Sequence, residues 1–211
     1  GTPNLRYGVD ASYNGVNGVM KGSGRDRYSI GFSLDYRVKQ LQVKNTVSFG
    51  HTKSKESPYG SFSDYTRMQP YETPYEDDGT LKQKMSYSQS PSSRTSNNPL
   101  YEATLGNYEW NAYDELVNNL SLNWYLNDYL TVKGQFSITK KYASSEKFYD
   151  PLSSKVSVYG ESDDAYLAGD LYTERGGSLD WNTNAFLYYT RSFHSKHNIN
   201  VSVGWEAAAS N

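Results

Sequence analysis

"RYSIGFSLDYR" (27–37) carries an apolar or aromatic side chain at every second position: Tyr28, Ile30, Phe32, Leu34 and Tyr36. Ser29, Gly31, Ser33, Asp35 and Arg37 stand between them. Period-two alternation is the signature of a β-strand with one apolar and one polar face. The fold turns on what lies against the apolar face: a protein core or lipid.

The same alternation recurs along the chain. It spans residues 5–14, 26–37, 40–52, 114–126, 129–142, 177–191 and 197–207, about seven strands. Leu120, Leu122 and Trp124 line one face of the fourth segment, with Asn119, Ser121 and Asn123 opposite. Phe136 and Ile138 face away from Gln135, Ser137 and Thr139 in the fifth. A sandwich strand reads this way, and so does the wall of a water-filled transmembrane barrel.

Composition narrows the choice. Hydrophobic residues make up 36% of the 211 and the mean hydropathy is −0.80, low for a chain that must fill a core. Aromatic content is 15%, with 21 tyrosines, which excludes a disordered chain. The net charge of −2 gives no electrostatic footprint for nucleic acid. The absence of cysteine removes thiolate metal sites and thiol nucleophiles.

The connections separate core from lipid. Short turns are expected near 38–39, 127–128 and 194–196, and long connections over 15–25, 53–113 and 143–176. Short and long alternate throughout, as in a membrane meander with tight turns at one rim and large loops at the other. Aromatics on the apolar faces fall at both ends of the strands. Tyr13, Tyr28, Trp181 and Trp205 lie toward the long loops, and Tyr7, Tyr36, Trp124 and Tyr189 toward the short turns. Two such belts match the two interfaces of a bilayer. The expected fold is all-β: an antiparallel up-and-down meander forming part of a large transmembrane barrel.

The loops carry a more specific signal. "GVMKGSGRDRYS" (18–29), "SPYGSFSDY" (57–65), "QPYETPYEDDG" (69–79), "NPLYEATL" (98–105) and "TKKYASSEKFYDP" (139–151) follow one another in an order that resembles the SusC/RagA family. These are TonB-linked transporters of the Bacteroidetes outer membrane. The resemblance implies a barrel of about 22 strands around an N-terminal plug, importing oligosaccharides or peptides. It also implies a SusD-like lipoprotein as lid and TonB as the source of energy. On this reading residues 1–211 are one segment of the barrel wall, without the plug domain. The last residues, "GWEAAASN", lack the terminal aromatic usual in such barrels. Alone, so few strands would have to close into a small barrel, pair edge to edge between copies, or cover their apolar face with the loops.

No motif for bond chemistry emerges, and no metal or cofactor is expected. "GSGRDR" (22–27) lacks the Lys-Ser/Thr ending of a phosphate loop, and no helix follows it. His194 and His197 sit in a turn, and His51 stands alone at a strand end. "EDDG" (76–79) and "ESDDAY" (161–166) lack the spacing of a calcium loop. The candidate ligand-binding residues lie in the tyrosine-rich loop: Tyr59, Asp64, Tyr65, Arg67, Tyr71 and Tyr75. Such aromatics stack on sugar rings while neighbouring charges bond hydroxyls. They equally pack a loop upon itself, the outcome that Pro58, Pro70 and Pro74 favour by restricting its path. A second functional reading is a soluble β-barrel-like module enclosing a lipid or glycan.

Overall fold

The computed structural model describes residues 2, 4–66, 68, 70–86, 95–153, 155–156, 169–193 and 197–211; of Asp64, Ser86, Thr95 and Ser96 it describes the backbone only. The strands are β1 (Leu5–Asn17), β2 (Gly24–Val38), β3 (Leu41–Lys55), β4 (Lys84–Ser86), β5 (Thr95–Asn97), β6 (Tyr108–Tyr125), β7 (Leu130–Tyr149), β8 (Asp170–Phe193) and β9 (His197–Ser210). Two short helices, α1 (Phe62–Thr66) and α2 (Pro99–Glu102), lie in the connection from β3 to β6. Seven strands form one sheet in the order β1-β2-β3-β6-β7-β8-β9, and β4 pairs with β5 apart from it. Each pairing is antiparallel between strands adjacent in sequence or separated only by the large loop. The expected meander is observed.

The apolar face is open. Val9, Ile30, Phe32, Phe49, Leu120, Leu187 and Val203 are all exposed, Leu120 at 40% and Val203 at 65%. Among the described residues Met85 is the single buried hydrophobic, and it lies in the loop region. Among the described residues the loops do not cover this face. The sheet is not closed on itself either: among the described residues β1 pairs with β2 alone and β9 with β8 alone. The described residues enclose no interior that could hold a lipid or glycan in the manner of a small barrel.

The apolar stretch has a nearly constant height. Counted between its outermost apolar residues it runs Tyr28–Val38, Leu41–Phe49, Leu116–Trp124, Leu130–Ile138 and Leu179–Tyr189, nine to eleven residues from the short-turn end. A tilted strand crosses a bilayer in about 9–11 residues. The expected belt aromatics bracket this band, and Tyr7, Tyr13, Tyr28, Tyr36, Trp124, Trp181 and Trp205 are all exposed.

Three polar residues inside the band, Asn45, Asn118 and Thr183, are satisfied within the sheet. Asn45 and Asn118 interrupt the alternation of β3 and β6, and their amides bond each other, Nδ2 to Oδ1, at 3.2 and 3.4 Å. The Thr183 hydroxyl donates to the Gln135 carbonyl at 3.1 Å. In hydrocarbon an unpaired amide has no water to turn to, so a polar side chain survives there only with a protein partner.

Several strands outrun the alternation. β7 has 20 residues and β8 has 24. The long connections therefore shrink to 18–23, 56–107 and 150–169, against the expected 15–25, 53–113 and 143–176. Backbone pairing does not depend on an apolar face, so the ladder continues where the apolar period has ended. The turns also shift by one residue. The first is Lys39–Gln40, with Lys39 at φ 50° in the left-handed region. The second is Asp128–Tyr129, flanked by Asn127 and Leu130, whose backbones exchange two hydrogen bonds of 3.4 Å. The Asn127 side chain accepts the Tyr129 N–H at 2.9 Å, so a side-chain turn holds the corner. Residues 194–196, the third expected turn and the place of His194, lie outside the described residues.

Candidate ligand-facing rim

All three long connections leave the sheet at one end, and two of them are joined by a buried polar cluster. Asn98 caps α2: its Oδ1 accepts the Leu100 N–H at 3.1 Å, and Pro99 fills the first helical position. Its Nδ2 donates to the carbonyls of Pro74 (3.0 Å) and Lys82 (2.8 Å). Asn98 is 0% exposed, and its three bonds pin the 74–82 turn onto the helix. Glu102, 2% exposed, closes the other side. Its Oε2 accepts from the Ser153 hydroxyl at 2.6 Å and from Asn107 Nδ2 at 2.8 Å. Asn107 Oδ1 in turn accepts the Asp150 N–H at 2.8 Å. "NPLYEATL" and "FYDP", two stretches that carry the family resemblance, thus meet in space through one hydrogen-bonded network. Burial, with Glu102 and Asp150 nearby, raises the Tyr101 phenol above its ordinary pKa.

A second anchor holds the start of the loop. The Ser57 hydroxyl donates to the Lys21 carbonyl at 2.7 Å, and the Lys21 ammonium lies 5.5 Å from the centre of the Tyr59 ring. Gly22, at φ 81°, approaches Pro58 so closely that a Cβ there would sit 3.1 Å from its Cδ. The short loop 18–23 thus braces residues 57–59. Further along, Thr80 donates both its hydroxyl (2.6 Å) and its N–H (2.9 Å) to Asp78 Oδ1. These bonds, the hydroxyl's first, lower the Asp78 pKa. The "EDDG" segment is therefore a side-chain-stapled turn with Gly79 at φ 84°.

The six candidate residues fall into three environments. Tyr59 is half-buried and engaged by Lys21. Tyr65, in α1, is half-buried, and its carbonyl accepts the Met68 N–H at 3.1 Å. Tyr71 and Tyr75 are exposed, the former at 76%. Asp64 lies within α1, its side chain outside the described set, and Arg67 lies outside the described residues. Residues 161–166 lie outside them too. Among the described residues no cluster of three or more His, Cys, Asp or Glu could hold a metal. His51 is not alone: its Nδ1 lies 2.7 Å from Asp114 Oδ1 across the β3–β6 ladder, a partner invisible without the register.

The polar wall contributes a feature that alternation did not mark. A cleft of about 390 Å³ opens between the upper ends of β6, β7 and β8. Glu109, Lys147, Tyr149, Tyr172 and Glu174 line it, with Glu109 and Lys147 paired at 3.3 Å. These positions carry the polar-face parity of their strands, continued above the bilayer. Parity would have found them had the strands been extended far enough.

No protein-family model matches the chain. No curated protein matches it either. Solved structures do. The RagAB peptide importer in its closed-closed state aligns with 99% of this chain and 23% of its own, at TM-score 0.71 and 17% identity. A second structure of the RagAB peptide transporter aligns with 100% of this chain and 24% of its own, at TM-score 0.70 and 16% identity. The fold is that of an outer-membrane transporter's barrel wall. The outer membrane transporter YddB from Escherichia coli aligns more loosely, at TM-score 0.50 and 12% identity, over 100% of this chain and 26% of its own. The chain spans about a quarter of the length of the transporters it resembles.

Proposed function

We propose that residues 1–211 are a wall segment of a TonB-dependent nutrient transporter of the bacterial outer membrane, of the SusC/RagA type. The observation that carries this reading is the open apolar band: nine to eleven residues tall, continuous across the sheet, and covered by none of the described residues. In water such a face would drive aggregation, whereas lipid meets it at no cost. The likeness to RagAB supports the same reading. The remaining strands of the full protein pair the edges of β1 and β9 and close the barrel.

The transported substrate is a peptide or an oligosaccharide. The rim loop, with Tyr59, Asp64, Tyr65, Arg67, Tyr71 and Tyr75, meets substrate and a SusD-like lipoprotein lid. The Glu109–Glu174 cleft guides substrate along the inner wall. TonB supplies energy, and the protein carries out no bond chemistry. The test is to fractionate cells producing the full-length protein and to compare uptake of labelled peptides and oligosaccharides with and without it. Heat-modifiable outer-membrane protein and uptake that depends on it are expected. Recovery in the soluble fraction overturns the reading.

A further inference from the structure

One lipid-facing residue of the band has no partner of the kind found for Asn45, Asn118 and Thr183. Lys140 lies in a lateral row with Phe49, Leu116 and Leu179, all apolar. It is exposed, and among the described residues no ion pair engages it. Lys140 is the eleventh residue from Leu130, at the upper edge of the band, where a lysine can extend its ammonium out of the hydrocarbon.

More cations with the same outward parity stand above that edge. Two rows up, Asp26, Lys53, Ala112, Ser144 and Arg175 are register neighbours in that order, so Arg175 stands at the end of the row away from Asp26, and Lys55 follows on β3. All three basic residues are exposed. Lys53 lies over the Trp110 ring at 5.3 Å, while Lys55 and Arg175 have no ion pair among the described residues. The three carboxylates of this face are each engaged by a neighbour. Asp26 accepts from the Tyr13 hydroxyl, Glu146 from the Tyr108 hydroxyl, and Asp114 pairs with His51. Between Lys140 and Arg175 the exposed Tyr142 faces the bare Gly177 across the ladder, so the cations flank a shallow aromatic step. At the short-turn rim the same parity, among the described strand residues, carries Arg191 as its sole Lys or Arg, and that guanidinium is occupied by the Tyr129 and Phe193 rings, each at 4.8 Å.

We infer that Lys140 and Arg175, on neighbouring strands, form a site on the outer wall for the phosphate of a lipid headgroup in the leaflet on the long-loop side, with Lys53 and Lys55 farther along the same face on β3. The inference rests on the membrane reading proposed above. The cations project at headgroup height directly above exposed hydrocarbon-facing residues, so the ligand they fit has an anionic phosphate joined to acyl chains.

The test uses the full-length protein extracted from its membrane. Binding of dioleoyl phosphatidic acid is compared with that of dioleoylglycerol by native mass spectrometry. Preferential retention of phosphatidic acid is expected. Lys140→Gln with Arg175→Gln should weaken it roughly 25-fold, about five-fold for each cation removed. Lys133→Gln with Lys141→Gln, on the polar face, should leave it unchanged. Equal retention of the two lipids overturns the site, as does an equal loss from the polar-face pair. Displacement by millimolar inorganic phosphate also overturns it, because the cations would then hold a free ion and not a lipid. If the outer-face variant does not assemble, affinity of the native protein from about 50 to 500 mM salt decides: a steep fall supports the site, and a flat profile overturns it. Recovery of the full-length protein from the soluble fraction is a separate failure, that of the membrane reading itself.

Discussion

The sheet and the rim reverse each other's polarity. In the sheet, apolar side chains are exposed while the polar groups among them are paired, as Asn45 is with Asn118. In the rim, the buried groups are polar: Asn98, Glu102 and Ser153, with Met85 beside them among the buried residues. One region turns its apolar side chains outward, as the proposed place in a membrane requires. The other, standing in water with too little apolar surface to collapse, is held by directed hydrogen bonds. Such bonds hold a loop in one shape, because each buried donor or acceptor has a partner to lose.

The comparison breaks most visibly if the loop is removed. Deleting residues 57–79 from the full-length protein should abolish uptake or lid docking while the barrel still assembles, because the loop adds no ladder bonds to the main sheet. Heat-modifiable mobility and uptake assays separate the two effects. Failed assembly would show that the loop is structural. Unchanged uptake and lid binding would place recognition elsewhere.

A charge on the lipid face is the next largest perturbation. Leu120→Arg should cost about 2–4 kcal/mol of folding stability in bilayers, as for a charge at mid-depth, while Ser121→Arg on the polar face should be nearly neutral. Denaturant titration in vesicles reads the difference. Equal costs would refute the assignment of faces.

Within the rim, Glu102→Ala strands the Asn107 amide and the Ser153 hydroxyl. About 1–3 kcal/mol of local stability should be lost. Limited proteolysis should then cut the 98–107 and 150–153 segments faster, with the strands untouched. Uniform protection would show that the network is incidental.

The asparagine pair offers a finer measurement. Asn118→Leu alone should destabilise by about 0.6–1.7 kcal/mol, the range of side-chain hydrogen bonds in membranes. Adding Asn45→Val should recover most of that loss, because no unpaired amide then remains. A double-mutant cycle without coupling would refute the pairing.

The smallest effect concerns pH. The Thr80 hydroxyl and N–H lower the Asp78 pKa below its usual 3.8, so the carboxylate is the form that the folded turn prefers. Its contribution is present above about pH 4 and is lost as the pH falls through the lowered value. The protection of the Thr80 amide, corrected for the intrinsic pH dependence of exchange, should fall in that acid range, and this pH dependence should vanish in Asp78→Asn. Protection that is flat with pH in the native protein would remove Asp78 from the turn.

Periodicity alone was enough to read the strands, their two faces and the alternation of short and long connections, because these depend on the pleat, which turns each side chain by half a rotation. The order of loop motifs pointed to the transporter family for a related reason, since each motif carries its own local turn and cap residues. Strand ends above the bilayer were illegible: Asn111, Ser145 and Glu174 have water on either side, so no apolar period marks them. The partners that join distant stretches were equally hidden. His51 with Asp114, Asn45 with Asn118, and Glu102 with Ser153 are separated by 63, 73 and 51 residues. Only the register of the ladders and the crossing of two loops bring them within bonding distance, and neither is encoded in any one stretch. A hydrophobic pattern specifies which face turns away from water; a hydrogen bond requires both its ends in place, and that the folded chain alone decides.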